Sequence, residues 1–290
     1  MTGIVVDSHQ HVWDLDRAEY SWLDSSSAAI DRTITIDELK PSLRAAGVDG
    51  TVLVQSADNA EDTALMFDVA AANPEVLGVV GYVPLGRPVE AAHTLDHLRT
   101  NPLFVGVRNL IHDLPDPDWL LRPEVDESLG LLEQAGIPFD LVAVLPRHLE
   151  LVPIISERHP ALSIVLDHLG HPPIGLDSLE PWSSLIARAA ENPRVFAKVS
   201  GLYSAAGLLA SRTAESVRPS FDRALDLFGA HRLMYGGDWP ISILHGGYEQ
   251  VWSGLSELFA GLPATDRAAI LGETAVTFYR LDDPGRRVRS

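Results

Sequence analysis

The stretch Val5-Val6-Asp7-Ser8-His9-Gln10-His11-Val12-Trp13 begins with apolar residues and carries two histidines separated by one residue. The run Ile4–Ser8 predicts a buried β-strand. Because side chains two apart in an extended chain point to the same face, His9 and His11 project together. Two imidazoles at the end of a buried strand can reach one metal ion. An isolated His-x-His pair can equally be one histidine that caps a loop and one that is satisfied in the core.

Seven further apolar runs follow, and a longer amphipathic stretch separates each from the next. This alternation predicts repeated βα units, and runs that are apolar throughout are typical of parallel strands buried on both faces. The further predicted strands are Gly50–Gln55, Leu77–Val83, Phe104–Leu110, Pro138–Val144, Ser163–His168, Val195–Val199 and Arg232–Tyr235. The predicted helices are Ile36–Ala46, Asp62–Asn73, Val89–Leu98, Pro123–Gln134, Arg147–Arg158, Leu179–Glu191 and Arg212–Phe228.

Eight strands in 290 residues fit a closed barrel, which typically needs about 250 residues. A doubly wound sheet is the alternative, but the first strand is not followed by Gly-x-Gly-x-x-Gly and the chain has no Walker-type loop. No Pro/Gly/Ser-rich linker divides the chain. We therefore expect an α/β fold, a single-domain (β/α)8 TIM barrel over residues 1–290. It should carry an insertion loop at 14–33 after the first strand and a surface tail at 282–290.

The composition narrows the classes of function. The chain has no cysteine, so any metal must be held by histidine and carboxylate. The formal net charge of −18 argues against nucleic acid and anionic membranes as partners, because phosphate binding needs clustered Lys and Arg. No apolar run reaches the roughly 18 residues of a membrane helix, and the first residues lack the basic region of a secretory signal. These features predict a cytoplasmic protein that acts on a small molecule, and they leave its oligomeric state open.

A second polar cluster ends the sixth run, at Asp167-His168-Leu169-Gly170-His171. His168 lies directly after the predicted strand, where barrel enzymes keep their catalytic groups. Asp167 can orient His168 or face the surrounding helices. The alternative is a turn in which either side chain caps backbone N–H groups.

A third cluster, Tyr235-Gly236-Gly237-Asp238-Trp239-Pro240, ends the eighth run. The glycines let the backbone bend and leave room beside Asp238. A carboxylate at this point can ligate a metal and accept a proton from bound water. In a closed barrel the last strand lies beside the first, so Asp238 should approach the histidine pair.

This ordered set of motifs resembles the amidohydrolase superfamily. The fuller pattern is similar to its amidohydrolase 2 branch, which includes sugar-lactone hydrolases of the L-fuconolactonase type. The resemblance spans essentially the whole chain and implies a TIM-barrel hydrolase that opens a lactone. Its matching stretches are Asp7–Trp13, Tyr20–Leu23, Val54-Gln55, Gly106–Arg108, Asp167–Gly170, Lys198–Leu202 and Gly237–Pro240.

The chain also departs from the superfamily pattern. In binuclear members a carboxylated lysine or a glutamate on strand four bridges two metals, and a histidine on strand five joins them. Here strand four offers Arg108 and strand five offers Asp140. We therefore expect at most one divalent ion, and the resemblance implies that its ligands are His9, His11, His168 and Asp238. Zn²⁺ is the ion that His/carboxylate ligation favours. The branch is also similar to members that need no metal, so metal independence stays open.

The resemblance predicts a catalytic group of Asp238, His168 and Arg108. Asp238 would be the general base for water that attacks the lactone carbonyl, and Arg108 would supply positive charge for the oxyanion or bind a substrate carboxylate. Lys198 is expected to pair with a carboxylate inside the barrel. Aromatic residues here can equally be packing residues, and Gln55 can cap the backbone. The residues expected to bind the substrate are Gln55, Arg108, Tyr203, Trp13 and Trp239.

Two other functions stay open: a metal-dependent decarboxylase of the same superfamily, and a barrel that has lost catalysis and serves as a binding subunit. The other histidines divide by position. Those after strands, His112, His171 and His245, are second-rank site candidates. Those on helices or helix ends, His93, His97, His148, His159 and His231, are expected to be solvated.

Overall fold

The computed structural model describes residues 3–23, 27–205 and 212–281, so the predicted tail at 282–290 lies outside the described residues. Eight parallel strands pair in the order of the chain, each with the next. Asp238 N–H donates to His9 C=O at 2.9 Å, and His11 N–H donates to Trp239 C=O at 2.8 Å. These bonds join the end of the last strand to the first, which confirms the (β/α)8 barrel. The strands are β1 Val6–Gln10, β2 Gly50–Val54, β3 Val76–Gly81, β4 Phe104–Asn109, β5 Phe139–Leu141, β6 Ile164–Leu166, β7 Val195–Val199 and β8 Leu233–Tyr235.

Seven of the described helices lie where the amphipathic stretches predict them, and the four others, one after β7 and three after β8, were not predicted from the sequence. Helix α1 has the predicted bounds, and Gly47 ends it in the left-handed conformation (φ 70°) that favours glycine. Proline opens α3, α4 and α5, where its missing N–H costs nothing. The helices are α1 Ile36–Ala46, α2 Ala60–Ala72, α3 Pro88–Leu98, α4 Pro123–Ala135, α5 Pro146–Arg158, α6 Trp182–Ala190, α7 Leu202–Ala205, α8 Ala214–Phe228, α9 Tyr248–Ala260, α10 Ala264–Ala268 and α11 Thr274–Tyr279.

Several predicted boundaries were wrong. The first strand is shifted by two residues, from the predicted Ile4–Ser8 to Val6–Gln10, so His9 belongs to the strand itself. The sixth strand ends at Leu166 because the chain then enters a tight turn in which His168 and Leu169 adopt left-handed backbone conformations. An apolar run in the sequence does not show where such a turn begins.

Two histidines expected to be solvated are buried. His148 is 1% exposed, and its Nδ1 accepts a hydrogen bond from the backbone N–H of Leu145 at the start of α5. His159 is 7% exposed, and its Nε2 lies 3.1 Å from the Asp126 carboxylate. Both are satisfied structural histidines, and both lie away from the strand ends.

Inside the barrel, valines near the amino ends of the strands form an apolar cluster with α11. Phe278 and Tyr279 of α11 pack against Val6 of β1 and Val105 of β4. Tyr279 is 1% exposed, and its hydroxyl donates to Asp140 Oδ2 at 2.7 Å. Within the described ranges no helix is long and apolar enough to cross a membrane.

Candidate active site

Three of the predicted metal-binding residues meet at the carboxyl ends of β1, β6 and β8. His9, His168 and Asp238 each offer one ligand atom, and these atoms lie within 4.8 Å of one another. His9 Nε2 is 3.7 Å from Asp238 Oδ1. His11 is outside this group of three, but its Nε2 lies 3.6 Å from the same carboxylate oxygen. Residues more than 225 positions apart are therefore brought together because the barrel closes β8 onto β1.

The backbone around Asp238 depends on close contact with β1. Asp238 itself has a positive φ of 51°, which is unusual for a residue other than glycine. A Cβ atom at Gly236 would lie 2.7 Å from the Cβ of His9, so only glycine lets the two chains approach this closely. The predicted role of the glycines, to leave room beside Asp238, fits this geometry.

Hydrogen bonds orient two of the histidine rings. His11 Nδ1 lies 2.7 Å from Val54 C=O, and because a carbonyl only accepts, Nδ1 is the donor and Nε2 faces Asp238 with its lone pair. His168 Nδ1 lies 2.9 Å from Ser200 Oγ. Such outer contacts are typical of histidines whose remaining nitrogen binds a metal.

Burial and neighbouring charge set the protonation states of these groups. Burial lowers the pKa of His9 well below its usual range and also lowers the pKa of His11. Burial by itself raises the pKa of Asp238, but His168, His11 and His9 around it lower the pKa below that of an ordinary aspartate. The site therefore holds neutral His9 and His11 rings around an ionised carboxylate at neutral pH.

A buried ionic layer lies directly next to His9. Lys198 Nζ contacts Asp140 Oδ2 at 2.5 Å, Asp167 Oδ1 at 3.0 Å and His9 Nδ1 at 3.0 Å. Arg108 donates to Asp167 Oδ2 at 3.0 Å and also to the carbonyl of Gln55. The expected interior pairing of Lys198 is thus present. Asp167 faces the barrel interior. It was expected either to orient His168 or to face the surrounding helices, and it does neither.

Asp7 is a positioning residue that sequence reasoning missed. Its carboxylate is fully buried and accepts hydrogen bonds from Gly237 N–H at 2.9 Å, His9 N–H at 3.1 Å and the Tyr248 hydroxyl at 2.8 Å. It therefore ties β1 to the end of β8 and to the start of α9. The only signal in the sequence is the position of Asp7, which is an acid within an apolar run and directly precedes Ser8-His9.

A pocket of about 340 Å³ opens next to this site. His11, Arg108, His168 and Asp238 line it, together with Trp22 from the insertion after β1. The second-rank candidates His112 and His171 line the same pocket. Apolar side chains form another part of its wall, namely Leu110, Val142, Val144 and Ile241. The mixture of polar and apolar walls suits a small molecule that carries both hydroxyl groups and apolar groups.

Four of the predicted substrate-binding residues are not brought to this pocket. Trp13 is 1% exposed and donates its indole N–H to Ile30 and Arg32 carbonyls, so it packs beneath the insertion. Trp239 is also buried in that core. The remaining two, Gln55 and Tyr203, are buried: Gln55 donates to Arg108 C=O and Asp58, and the Tyr203 hydroxyl lies against Gly254 of α9.

The donor set at the site fits a single divalent cation. His9, His168 and Asp238 converge, and the outer hydrogen bond of His168 leaves its Nε2 available. Two imidazoles and one carboxylate are ligands that Zn²⁺ accepts in an open site. Within the described residues no second such cluster is found.

In sequence and in structure the chain resembles known amidohydrolases and lactonases. The amidohydrolase family model matches residues 6–281. An L-fucono-1,5-lactonase of Burkholderia ambifaria is 35% identical over 96% of both chains, and one of Burkholderia multivorans is 31% identical over 98% of both. The crystal structure of an amidohydrolase from Burkholderia multivorans with bound zinc has a TM-score of 0.87 and 30% identity, and it covers 96% of this chain and 99% of its own.

Decarboxylases are more distant. A 5-carboxyvanillate decarboxylase from Sphingomonas paucimobilis has a TM-score of 0.66 at 16% identity, which shows a shared fold alone. The family match covers nearly all of the described chain, and three of the motifs that carry the resemblance supply His9, His168 and Asp238, which the structure brings together. The chain belongs to the amidohydrolase family.

Proposed function

We propose that this protein hydrolyses a sugar-acid lactone, and that L-fucono-1,5-lactone, the substrate named for its relatives, is the first compound to test. The observation that carries the proposal is an ionised Asp238 beside His9, His11 and His168 at the wall of a small pocket. A lactone of a 6-deoxy sugar has hydroxyl groups on its ring and one methyl group. The polar and apolar parts of the pocket match those two kinds of surface.

In this mechanism Asp238 is the general base. It takes one proton from water while the water oxygen forms a bond to the lactone carbonyl carbon. The tetrahedral intermediate then breaks its bond to the ring oxygen, which receives that proton from Asp238 and becomes a hydroxyl. The product is a hydroxy acid, which loses its own carboxyl proton to solvent at neutral pH. This release of acid is what a pH indicator detects.

Positive charge near the carbonyl oxygen comes from Arg108. Its two terminal nitrogens bind Asp167 and the Gln55 carbonyl, so the guanidinium is fixed before substrate arrives. A preorganised cation of this kind stabilises a developing oxyanion without reorganising. Each terminal nitrogen carries a second N–H beside the one that binds these partners, so both roles expected for Arg108, stabilising an oxyanion and binding a substrate carboxylate, stay open.

His9, His168 and Asp238 would hold the divalent metal, and Zn²⁺ is our proposal for its identity. When bound, such an ion polarises a carbonyl and lowers the pKa of water. The substrate is a small molecule in this proposal, and a cytoplasmic location remains the prediction made from the sequence.

The decisive experiment is a pH-indicator screen of sugar-acid lactones with the purified protein, with and without Zn²⁺, beside metal analysis of the same sample. We expect hydrolysis of L-fucono-1,5-lactone or a close stereoisomer. If no lactone is opened under any of these conditions, the proposal is wrong. Release of CO2 from aromatic acids in the same preparation would instead favour the decarboxylase alternative.

A further inference from the structure

A second, much smaller cavity adjoins the substrate pocket at Asp238. Its volume is about 10 Å³, and its walls come from the segment after β7 and from the connection between β8 and α9. Asp238 and Ser204 line both this cavity and the substrate pocket. The residue proposed as general base is therefore in contact with two different spaces.

Three residues of the cavity wall carry buried polar atoms that have no hydrogen-bond partner within the described ranges. The atoms are Ser242 Oγ, His245 Nδ1 and the Tyr203 hydroxyl oxygen. Buried polar groups in proteins are satisfied by protein atoms or by ordered water in the great majority of cases. Residues with such atoms share the wall of one small space, and this points to a polar ligand there.

The size of the cavity selects that ligand. A space of about 10–15 Å³ on this measure holds one water molecule and is too small for a substrate group. Water both donates and accepts hydrogen bonds, so it can serve a hydroxyl, an imidazole nitrogen and a carboxylate at once. The wall composition therefore suits water better than an anion or an apolar group.

Backbone contacts keep the walls in place. Ser242 N–H donates to Asp238 C=O at 2.8 Å, and Gly247 N–H donates to Ser242 C=O at 2.8 Å. Ser242 is 3% exposed. On the other side, a side chain at Gly254 of α9 would overlap the Tyr203 hydroxyl, so α9 holds that ring closely. These contacts fix the backbone of Ser242 and the ring of Tyr203 beside the cavity.

We propose that this cavity binds one water molecule, held by Ser242 and His245, which positions Asp238 for catalysis. Ser242 and His245 are then positioning residues, because they act through the water and Asp238 and contact no substrate. The kinetic part of this inference rests on the proposed lactone hydrolysis, whereas the presence of the water does not.

The first test is a high-resolution crystal structure of the unaltered protein. We expect an ordered water within about 3.2 Å of both Ser242 Oγ and His245 Nδ1. A side chain in this space, or a direct hydrogen bond between those two atoms, would overturn the proposal. This test needs no activity, so it decides the water site even if no sugar lactone proves to be a substrate.

The second test compares steady-state kinetics of four variants on the lactone that the screen identifies. Ser242→Val fills the cavity and His245→Leu removes the nitrogen, and each should lower kcat about tenfold while KM stays within about twofold. His245→Asn places an amide near the Nδ1 position and should recover most of kcat. Ser128→Ala is the matched control, since Ser128 is a buried serine of α4 that bonds Glu124 C=O.

Thermal unfolding of each variant separates positioning from loss of fold. The proposal is overturned if Ser242→Val and His245→Leu have the kcat of Ser128→Ala. It is also overturned if they fold normally and change KM alone, or if His245→Asn is as impaired as His245→Leu.

Discussion

At the scale of single residues, the proposed chemistry depends on the charge of Asp238. Asp238→Asn keeps the size of the side chain and removes the group that accepts the proton. We expect kcat on the lactone to fall by about 10³-fold, in the range that general base catalysis supplies. Thermal unfolding should show a folded protein. Asp126→Asn is the control, since this carboxylate pairs with Arg158 on the surface of α4. An equal loss in both variants would contradict the assignment.

Some site residues could be predicted from the sequence and others could not. The two groups differ in what holds them in position. His9, His168 and Asp238 follow from residue type and from their places at strand ends, and strand ends meet in a barrel. The orientation of Asp167 toward Lys198 and Arg108 depends on side chains of two other strands. Nothing in the local sequence around Asp167 contains that information.

The tryptophans show the same limit. Trp13 and Trp22 both flank the first motif, yet Trp22 lines the pocket and Trp13 lies in the core. Which of them faces the substrate is decided by the path of the insertion between them. That path is not encoded in a periodic pattern of apolar residues.

At the scale of elements, the insertion after β1 is fastened to the start of α2. Asp62 is buried and accepts hydrogen bonds from the Tyr20 hydroxyl at 2.9 Å and from Ser56 N–H at 2.9 Å. Burial outweighs these bonds and raises the pKa of Asp62 to about 6. Trp22, which lines the pocket, also bonds Ser56 C=O. The contact of Asp62 with the insertion therefore supports one wall of the pocket.

This raised pKa predicts a pH dependence of stability. In the unfolded chain Asp62 titrates near 3.8, so between pH 4 and 6 the folded protein binds more protons than the unfolded one. The contribution of Asp62 to the free energy of unfolding should fall as pH rises through this window, by up to about 3 kcal/mol. Urea unfolding of the wild type and of Asp62→Asn at pH 4 and pH 7 tests this. The difference between the two proteins in the free energy of unfolding should change between the two pH values. Asp68→Asn, on the exposed side of α2, should show no such change.

The last helix of the described residues makes a second long-range contact. Tyr279 of α11 donates its hydroxyl to Asp140, which also binds Lys198 inside the barrel. Tyr279→Phe should lower the free energy of unfolding by about 1–3 kcal/mol, because the buried carboxylate loses a donor. Tyr82→Phe, at a half-buried tyrosine after β3, should change it by less than about 0.5 kcal/mol. Equal effects in urea unfolding would mean that the Tyr279–Asp140 bond contributes nothing.

The presence of a strand or helix was easier to predict than the residues at which it begins and ends. All eight strands follow from apolar runs, and α1 follows to the residue because Gly47 marks its end. Strands β5 and β6 are shorter than their apolar runs since the remaining residues of those runs turn into the loops that build the site. Apolar character reports burial, and Val142 and Ala143 after β5 are buried too, although Val144 is 37% exposed.

At the scale of the whole molecule, a net charge of −18 coexists with a site that presents arginine and histidine to its substrate. The two facts agree because a buried site is governed by its nearest groups. Asp140 and Asp167 balance Lys198 and Arg108, so the ionic layer has little net charge of its own. The barrel therefore keeps an acidic surface, and an uncharged lactone is not repelled by it.

Metal binding should be visible in the stability of the whole protein. A ligand that binds only the folded state raises the free energy of unfolding, by about 2.7 kcal/mol at a concentration 100 times its Kd. We expect chelator-treated protein to take up about one equivalent of Zn²⁺ and to melt at a higher temperature when it does. His168→Asn should abolish both effects, whereas His231→Asn, at an exposed histidine before β8, should preserve them. Uptake of two equivalents would mean that the ionic layer around Lys198 had been displaced by a second ion. If uptake and melting temperature are unaffected by His168→Asn, the bound zinc lies elsewhere and the three converging side chains act on the substrate directly.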